Sequence, residues 1–167
     1  MCVPQSMGQL DGRVGGAQLG YDLHLTWTAG QLAGRIGGAI QGRDVALTVS
    51  AGEVSGRVGG TSLGFDVRGR LSASRLDLRL GGEVIGEDLT LDLAGGEVSG
   101  RLGGATLGKD VRLRWTAEGL TGRIGGIYEG KDVRVVLHEV PPEVAALAAV
   151  VAYKTLEADQ TSDGGGG

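Results

Sequence analysis

Val144-Ala145-Ala146-Leu147-Ala148-Ala149-Val150-Val151-Ala152-Tyr153 is an apolar run with no polar residue on any side. It follows Pro141-Pro142-Glu143 and gives way to Lys154-Thr155-Leu156-Glu157-Ala158-Asp159. Proline is tolerated in a first helical turn, where its missing N–H would be unpaired anyway. A glutamate there suits the positive end of the helix dipole, and alanine and leucine are strong helix formers. The sequence therefore predicts a helix over 142–158. A helix that is apolar all round is enclosed by protein or sits in lipid. Ten residues rise only about 15 Å, roughly half the thickness of a bilayer core. Enclosure by the rest of the chain is the consistent reading, so the residues before the helix should form its container.

The chain has 167 residues, enough for one domain with a real core. Its glycines number 34, but they are periodic and interleaved with β-branched residues, unlike a disordered low-complexity chain. A formal net charge of −4 gives no reason to expect nucleic acid. Cys2 is the single cysteine, which excludes an internal disulfide and a thiolate metal cage. Met1-Cys2-Val3-Pro4-Gln5 opens without a basic or long apolar segment, so the expectation is no signal peptide, no transmembrane span and a cytoplasmic location.

A 22-residue repeat dominates the container. Gly12-Arg13-Val14-Gly15-Gly16 recurs from Gly34, Gly56, Gly100 and Gly122, and a sixth copy, Leu78-Arg79-Leu80-Gly81-Gly82, departs at its first residue. Each copy runs on to a Gly-x-Asp ending at Asp22, Asp44, Asp66, Asp88, Asp110 or Asp132. Period-two alternation follows, as in Leu23, Leu25 and Trp27, the signature of a half-buried strand. Then comes a two-residue turn such as Ala29-Gly30 or Gly95-Gly96, and a second strand. Counting from Gln9 to His138 gives twelve antiparallel strands. The predicted architecture is mainly β: a twelve-stranded closed barrel over 9–159 with a buried central helix, an N-terminal tail at 1–8 and a flexible glycine-rich tail at 160–167.

The tight turns set the register. Leu25 should face Gly34, Leu47 Gly56, Leu91 Gly100 and Leu113 Gly122, while Gly69 faces Leu78 with the strands exchanged. One large and one absent side chain then share each level, which keeps the volume constant. Twelve strands enclose a lumen too wide for their own side chains to fill. Glycine in a strand often marks a close backbone approach, so these glycines are expected to make clearance for the helix.

The closest likeness rests on Gly130-Lys131-Asp132-Val133-Arg134-Val135-Val136-Leu137 leading into Pro142-Glu143-Val144 and on to Tyr153. In this pattern the chain resembles the Tubby C-terminal-like superfamily, nearest to its LURP-one-related and phospholipid scramblase-like branches. The resemblance covers about residues 9 to 159, mainly in architecture, and implies a twelve-stranded barrel threaded by a C-terminal hydrophobic helix. The acidic calcium-binding segment of scramblases has no counterpart in Leu137-His138-Glu139-Val140-Pro141. The phosphoinositide site of Tubby cannot be carried over residue by residue.

The same register predicts an outward row of Arg13, His24, Arg35, Ala46, Arg57, Arg68, Arg79, Thr90, Arg101, Arg112, Arg123 and Arg134, nine of the twelve being arginine. Like charges directly across strands are destabilising. The repeated aspartates should lie one outward row away, diagonal to the arginines, in a lattice of weak pairs. Arg101, Arg112, Arg123 and Arg134 are adjacent in this row, with Lys109, Arg114 and Lys131 nearby and Arg13 joining on closure. A second cluster is Arg68, Arg70, Arg75 and Arg79. Guanidinium arrays of this kind chelate phosphate. His24 and His138 read as surface residues, and with no third ligand in view no metal is expected. The Gly-Gly pairs lack the Lys-Ser/Thr context of a phosphate-cradling loop, and no Ser/His/Asp set is present, so no catalytic residue and no cofactor are expected. The functional expectation is a non-enzymatic binding module, peripheral to membrane, meeting an anionic phospholipid headgroup or an acidic partner. The alternative is a structural or self-associating barrel without a small-molecule ligand.

Overall fold

Alternation builds the wall. In β1 (Gly8–Gly15), Leu10 and Val14 are buried while Gln9 and Asp11 are exposed. The same period-two pattern runs through β2 (Gly20–Thr28), β3 (Gln31–Gly37), β4 (Gly42–Ser50), β5 (Glu53–Gly59) and β6 (Gly64–Leu71). It continues in β7 (Arg75–Gly81), β8 (Gly86–Ala94), β9 (Glu97–Leu102), β10 (Lys109–Trp115), β11 (Gly119–Ile124) and β12 (Lys131–His138). The structure is a computed structural model that describes residues 8–15, 20–37, 42–59, 64–81, 86–103, 109–117, 119–125 and 131–165. Each strand pairs antiparallel with its sequence neighbours, and β12 pairs with β1 to close a twelve-strand barrel. Closure leaves no free sheet edge among the described strands.

The closing helix is α1 (Pro142–Gly165). Pro141 begins it by accepting backbone hydrogen bonds from Val144 and Ala145, both at 3.1 Å. Every residue from Val144 to Tyr153 is at most 1% exposed, which is burial on all sides. The helix packs on β1, β2, β3, β7, β11 and β12. It runs past the expected end at 158, so helix covers positions read as the start of a flexible tail. The N-terminal tail expected at 1–8, with Cys2, lies outside the described residues except Gly8, which already belongs to β1. At the far mouth Lys154 Nζ meets Glu87 Oε1 at 2.6 Å and stands 5.5 Å from the centre of the Phe65 ring. Thr155, the one buried polar residue among those described, donates its hydroxyl to the Val151 carbonyl at 2.8 Å.

Every expected tight-turn pair is present: Leu25 opposite Gly34, Leu47 opposite Gly56, Gly69 opposite Leu78, Leu91 opposite Gly100, Leu113 opposite Gly122. The purpose of the glycines is different from expectation. A Cβ on Gly56 would strike the Ala46 carbonyl oxygen and come within 2.7 Å of Leu47 Cα and 3.0 Å of Leu47 Cδ2. Those atoms belong to the adjacent strand, not to the helix. The glycines admit a kink that carries one strand against its neighbour and curves the sheet toward closure, and the opposite leucine covers the bare position. Clearance for the helix comes instead from the helix's own alanines and the width of the barrel.

That width follows from the register. Pairing is in step across the tight turns (Arg68 opposite Arg79) and offset by two residues across the long connections (Arg13 opposite Asp22, not His24). The offset recurs at each of the six long connections, a total shear of twelve residues for twelve strands. Strands about 4.8 Å apart and tilted about 40° then place opposite backbones roughly 23 Å apart. A helix about 10–12 Å across leaves one layer of side chains on each side. Leu23, Ile36, Leu47, Leu80, Leu91 and Leu102, all at most 1% exposed, belong to that layer.

Two tight turns carry a small defect. Ala29 (φ 52°) and Ala51 (φ 50°) precede Gly30 and Gly52, with φ of 79° and 80°. Both central residues of this hairpin turn need positive φ, and asparagine is the favoured first residue. Left-handed backbone costs an ordinary L-residue about 1–2 kcal/mol. Ala51→Asn is therefore expected to stabilise the domain by about 1 kcal/mol, read as a higher urea midpoint with unchanged slope.

Candidate functional site: the arginine face

The two-residue offset rearranges the outward row. The arginine of each repeat lies directly opposite the aspartate of the next strand rather than diagonal to it. Arg13–Asp22, Arg57–Asp66, Arg79–Asp88 and Arg123–Asp132 close at 2.8 Å, Arg101–Asp110 at 2.6 Å and Arg35–Asp44 at 3.6 Å. Each pair is half exposed and contributes about 0.2–1 kcal/mol. The lattice is real, and it neutralises six of the nine row arginines.

The three that remain are Arg68, Arg112 and Arg134, none of which is in an ion pair among the described residues. All three are exposed. Each lies directly opposite a hydroxyl: Arg68 opposite Ser55, Arg112 opposite Ser99, Arg134 opposite Thr121. The other three equivalent pairs are His24 with Asp11, hydrogen-bonded at 2.8 Å, Ala46 with Ala33, and Thr90 with Asp77. Ser55, Ser99 and Thr121 were missed in the sequence. A signal was there: each stands thirteen positions before its arginine, the spacing that also joins Asp11 to His24 and Ala33 to Ala46.

Of the first predicted cluster, the structure brings together Arg112 and Arg123 across one strand pair and Arg134 and Arg13 across another. Arg114 stands across from Thr121 on one side and from Glu97 on the other, and bonds Glu97 at 3.0 Å. Arg101 is set apart: the offset places it across from Asp110, and Arg112 across from Ser99. Lys109 and Lys131 are not on this face. They share the inward set of their strands with Val111 and Val133, across from buried Leu102 and Ile124 at the barrel mouth. The cause is parity, since a residue three positions from Arg112 or Arg134 must lie on the opposite side of the sheet.

In the second cluster, Arg68 faces Arg79 and Arg70 faces Asp77. Asp77 at 2.8 Å and Asp92 at 3.0 Å clamp Arg75 and hold its guanidinium above its ordinary pKa. Asp88 takes Arg79. Arg68 and Arg70 stay out of ion pairs there, as Arg112 and Arg134 do on the β10–β12 face, but the four guanidiniums of this cluster are matched by Asp77, Asp88, Asp92 and, across from Arg70, Glu53, which leaves no excess of positive charge.

An open groove runs over β9, β10 and β11, bordered by Glu97, Ser99, Arg112, Arg114, Thr121 and Gly122. Among the described residues no group of three His, Cys, Asp or Glu side chains is placed to hold a metal. No helix among the described residues is long and apolar enough to cross a membrane. Fold and face together define a class: a closed antiparallel barrel filled by its own helix, with an arginine–aspartate lattice interrupted at three arginines. No family model, curated protein or solved structure matches the chain.

Proposed function

We propose that the chain is a non-enzymatic binding module that receives an anionic partner on the outer face of β10, β11, β12 and β1. The observation that carries this reading is the lapse of neutralisation at Arg112 and Arg134. Around them five guanidiniums (Arg13, Arg112, Arg114, Arg123, Arg134) meet three carboxylates (Asp22, Glu97, Asp132), in a protein whose net charge is −4. An excess of positive charge on a rigid sheet suits an anionic phospholipid headgroup or an acidic protein, and a peripheral, cytoplasmic setting fits either. The filled twelve-strand barrel supports the resemblance to the Tubby C-terminal-like superfamily in shape and carries no functional residue over from it. A purely structural barrel is the second reading, favoured by the six ion pairs that tie repeat to repeat.

Retention on vesicles rich in anionic lipid at low salt tests the lipid form, and a pull-down with an acidic peptide library tests the protein form. Arg112→Glu with Arg134→Glu should lower retention at least about tenfold and flatten what remains of its loss with salt. Its unfolding midpoint should hold, because neither side chain bonds a described residue. Retention that survives the double substitution, or its absence from the parent protein, leaves the structural reading.

A further inference from the structure

We propose that the group received on this face is a phosphomonoester, seated over Thr121 between Arg114 and Arg134; this rests on the anion-binding reading above. Arg134, Thr121 and Arg114 stand directly across from one another on three consecutive strands. The two arginine Cα atoms are thus about 10 Å apart, with a short side chain between them. Thr121 is exposed, and its hydroxyl makes no hydrogen bond to a described residue. Two residues along β11, Arg123 stands beside Arg112, which supplies a further free guanidinium at the groove's edge. The donors are therefore an arginine on either side of Thr121, the hydroxyl between them and a third guanidinium to one side, with Arg114 turned toward Glu97.

A phosphomonoester matches that set. It carries a charge of about −1.5 to −2 and three terminal oxygens. Two edges among the three terminal oxygens can each meet an arginine fork, sharing one oxygen, and since each oxygen accepts more than one hydrogen bond the Thr121 hydroxyl can donate to one of them as well. A carboxylate has one charge and two coplanar oxygens, and a phosphodiester has one charge and two free oxygens; either leaves one fork or the hydroxyl unused. The backbone of the site is pre-organised, because all its residues stand on strands of a closed barrel, and binding asks only that Arg114 exchange its carboxylate partner for the phosphate. Its one internal competitor is Glu97, which holds Arg114 at 3.0 Å. The same unit is incomplete at Ser55, which has Arg68 across from it on one side but Thr48 on the other.

The test is a titration of the ¹⁵N-labelled full chain with phenyl phosphate, and with benzoate at matched ionic strength. Saturable shifts centred on Thr121, Arg114 and Arg134 are expected, at phosphate concentrations about tenfold below those benzoate requires. Thr121→Val should weaken phenyl phosphate binding about five- to tenfold, and weaken it by more than it weakens benzoate binding. Glu97→Gln should strengthen phosphate binding, and Glu53→Gln should not. Stronger retention on phosphatidic acid than on phosphatidylglycerol at equal surface charge identifies a lipid as the carrier. Equal retention on the two, with saturable phenyl phosphate binding, identifies a soluble one. Shifts that stay linear and spread along the whole arginine lattice, or a Thr121→Val variant that binds phosphate like the parent, overturn the proposal even where vesicle binding persists. Failure of the parent to bind any anion overturns the underlying reading as well.

Discussion

Truncation before Pro141 is expected to abolish cooperative unfolding, and Leu147→Asp to come close to doing so. Leu147 is fully buried in a helix whose residues 144–153 have lost contact with water. A carboxylate there has no partner, and an uncompensated buried charge costs several kcal/mol even after its pKa shifts. Truncation is the more severe change. Twelve strands with a shear of twelve cannot shrink without re-registering every pair, so the wall cannot collapse onto the space the helix leaves. At about 24 cal/mol per Å³, a residual cavity of about 500 Å³ alone costs about 12 kcal/mol, comparable to the whole stability of a typical domain. Urea unfolding followed by circular dichroism decides it. A truncated chain that keeps a single sharp transition would show that the barrel stands without its filling.

Gly56→Ala is expected to destabilise by about 3–5 kcal/mol, adding backbone strain to steric overlap. Gly56 has φ of +146°, a region L-residues avoid, and its missing Cβ would overlap the Ala46 carbonyl. Neither obstacle is a flexible side chain that can move aside. Gly95 is the contrasting position. It also has positive φ (61°), but it stands in a tight turn with no atom within 4 Å of a built Cβ. Gly95→Asn should change stability by less than about 0.5 kcal/mol, since asparagine tolerates that conformation. A loss at Gly56 no larger than that at Gly95 would mean that neither the strand–strand approach nor the backbone conformation at Gly56 requires glycine.

The contrast between these glycines shows how far the chain could be read directly. That Gly56 lies across from Leu47, and Gly69 from Leu78, follows from counting outward from two-residue turns. What stands over each glycine does not follow, because pairing specifies which residues are level and not how closely two backbones approach. The arginine face divides the same way. Arg112 beside Arg123, and Arg134 beside Arg13, come from tight-turn counting and from closure. The separation of Arg101 from Arg112 depends on the two-residue offset across a long connection, whose register no turn of fixed length dictates. Lys109 and Lys131 are a different case: strand parity alone, applied to Val111 and Val133, would have removed them from the face.

Local patterns in the chain determine the strands, their order, the tight-turn register and the apolar rod that must be enclosed. Each arises from interactions between residues close in sequence or from a repeat that makes six copies agree. Only the closed barrel decides the shear, and the shear decides which arginine meets an aspartate and which meets Ser55, Ser99 or Thr121. The reason is geometric: shear is a property of the whole circuit of twelve strands, set when the helix and its layer of leucines fill the lumen, and no single hairpin contains it.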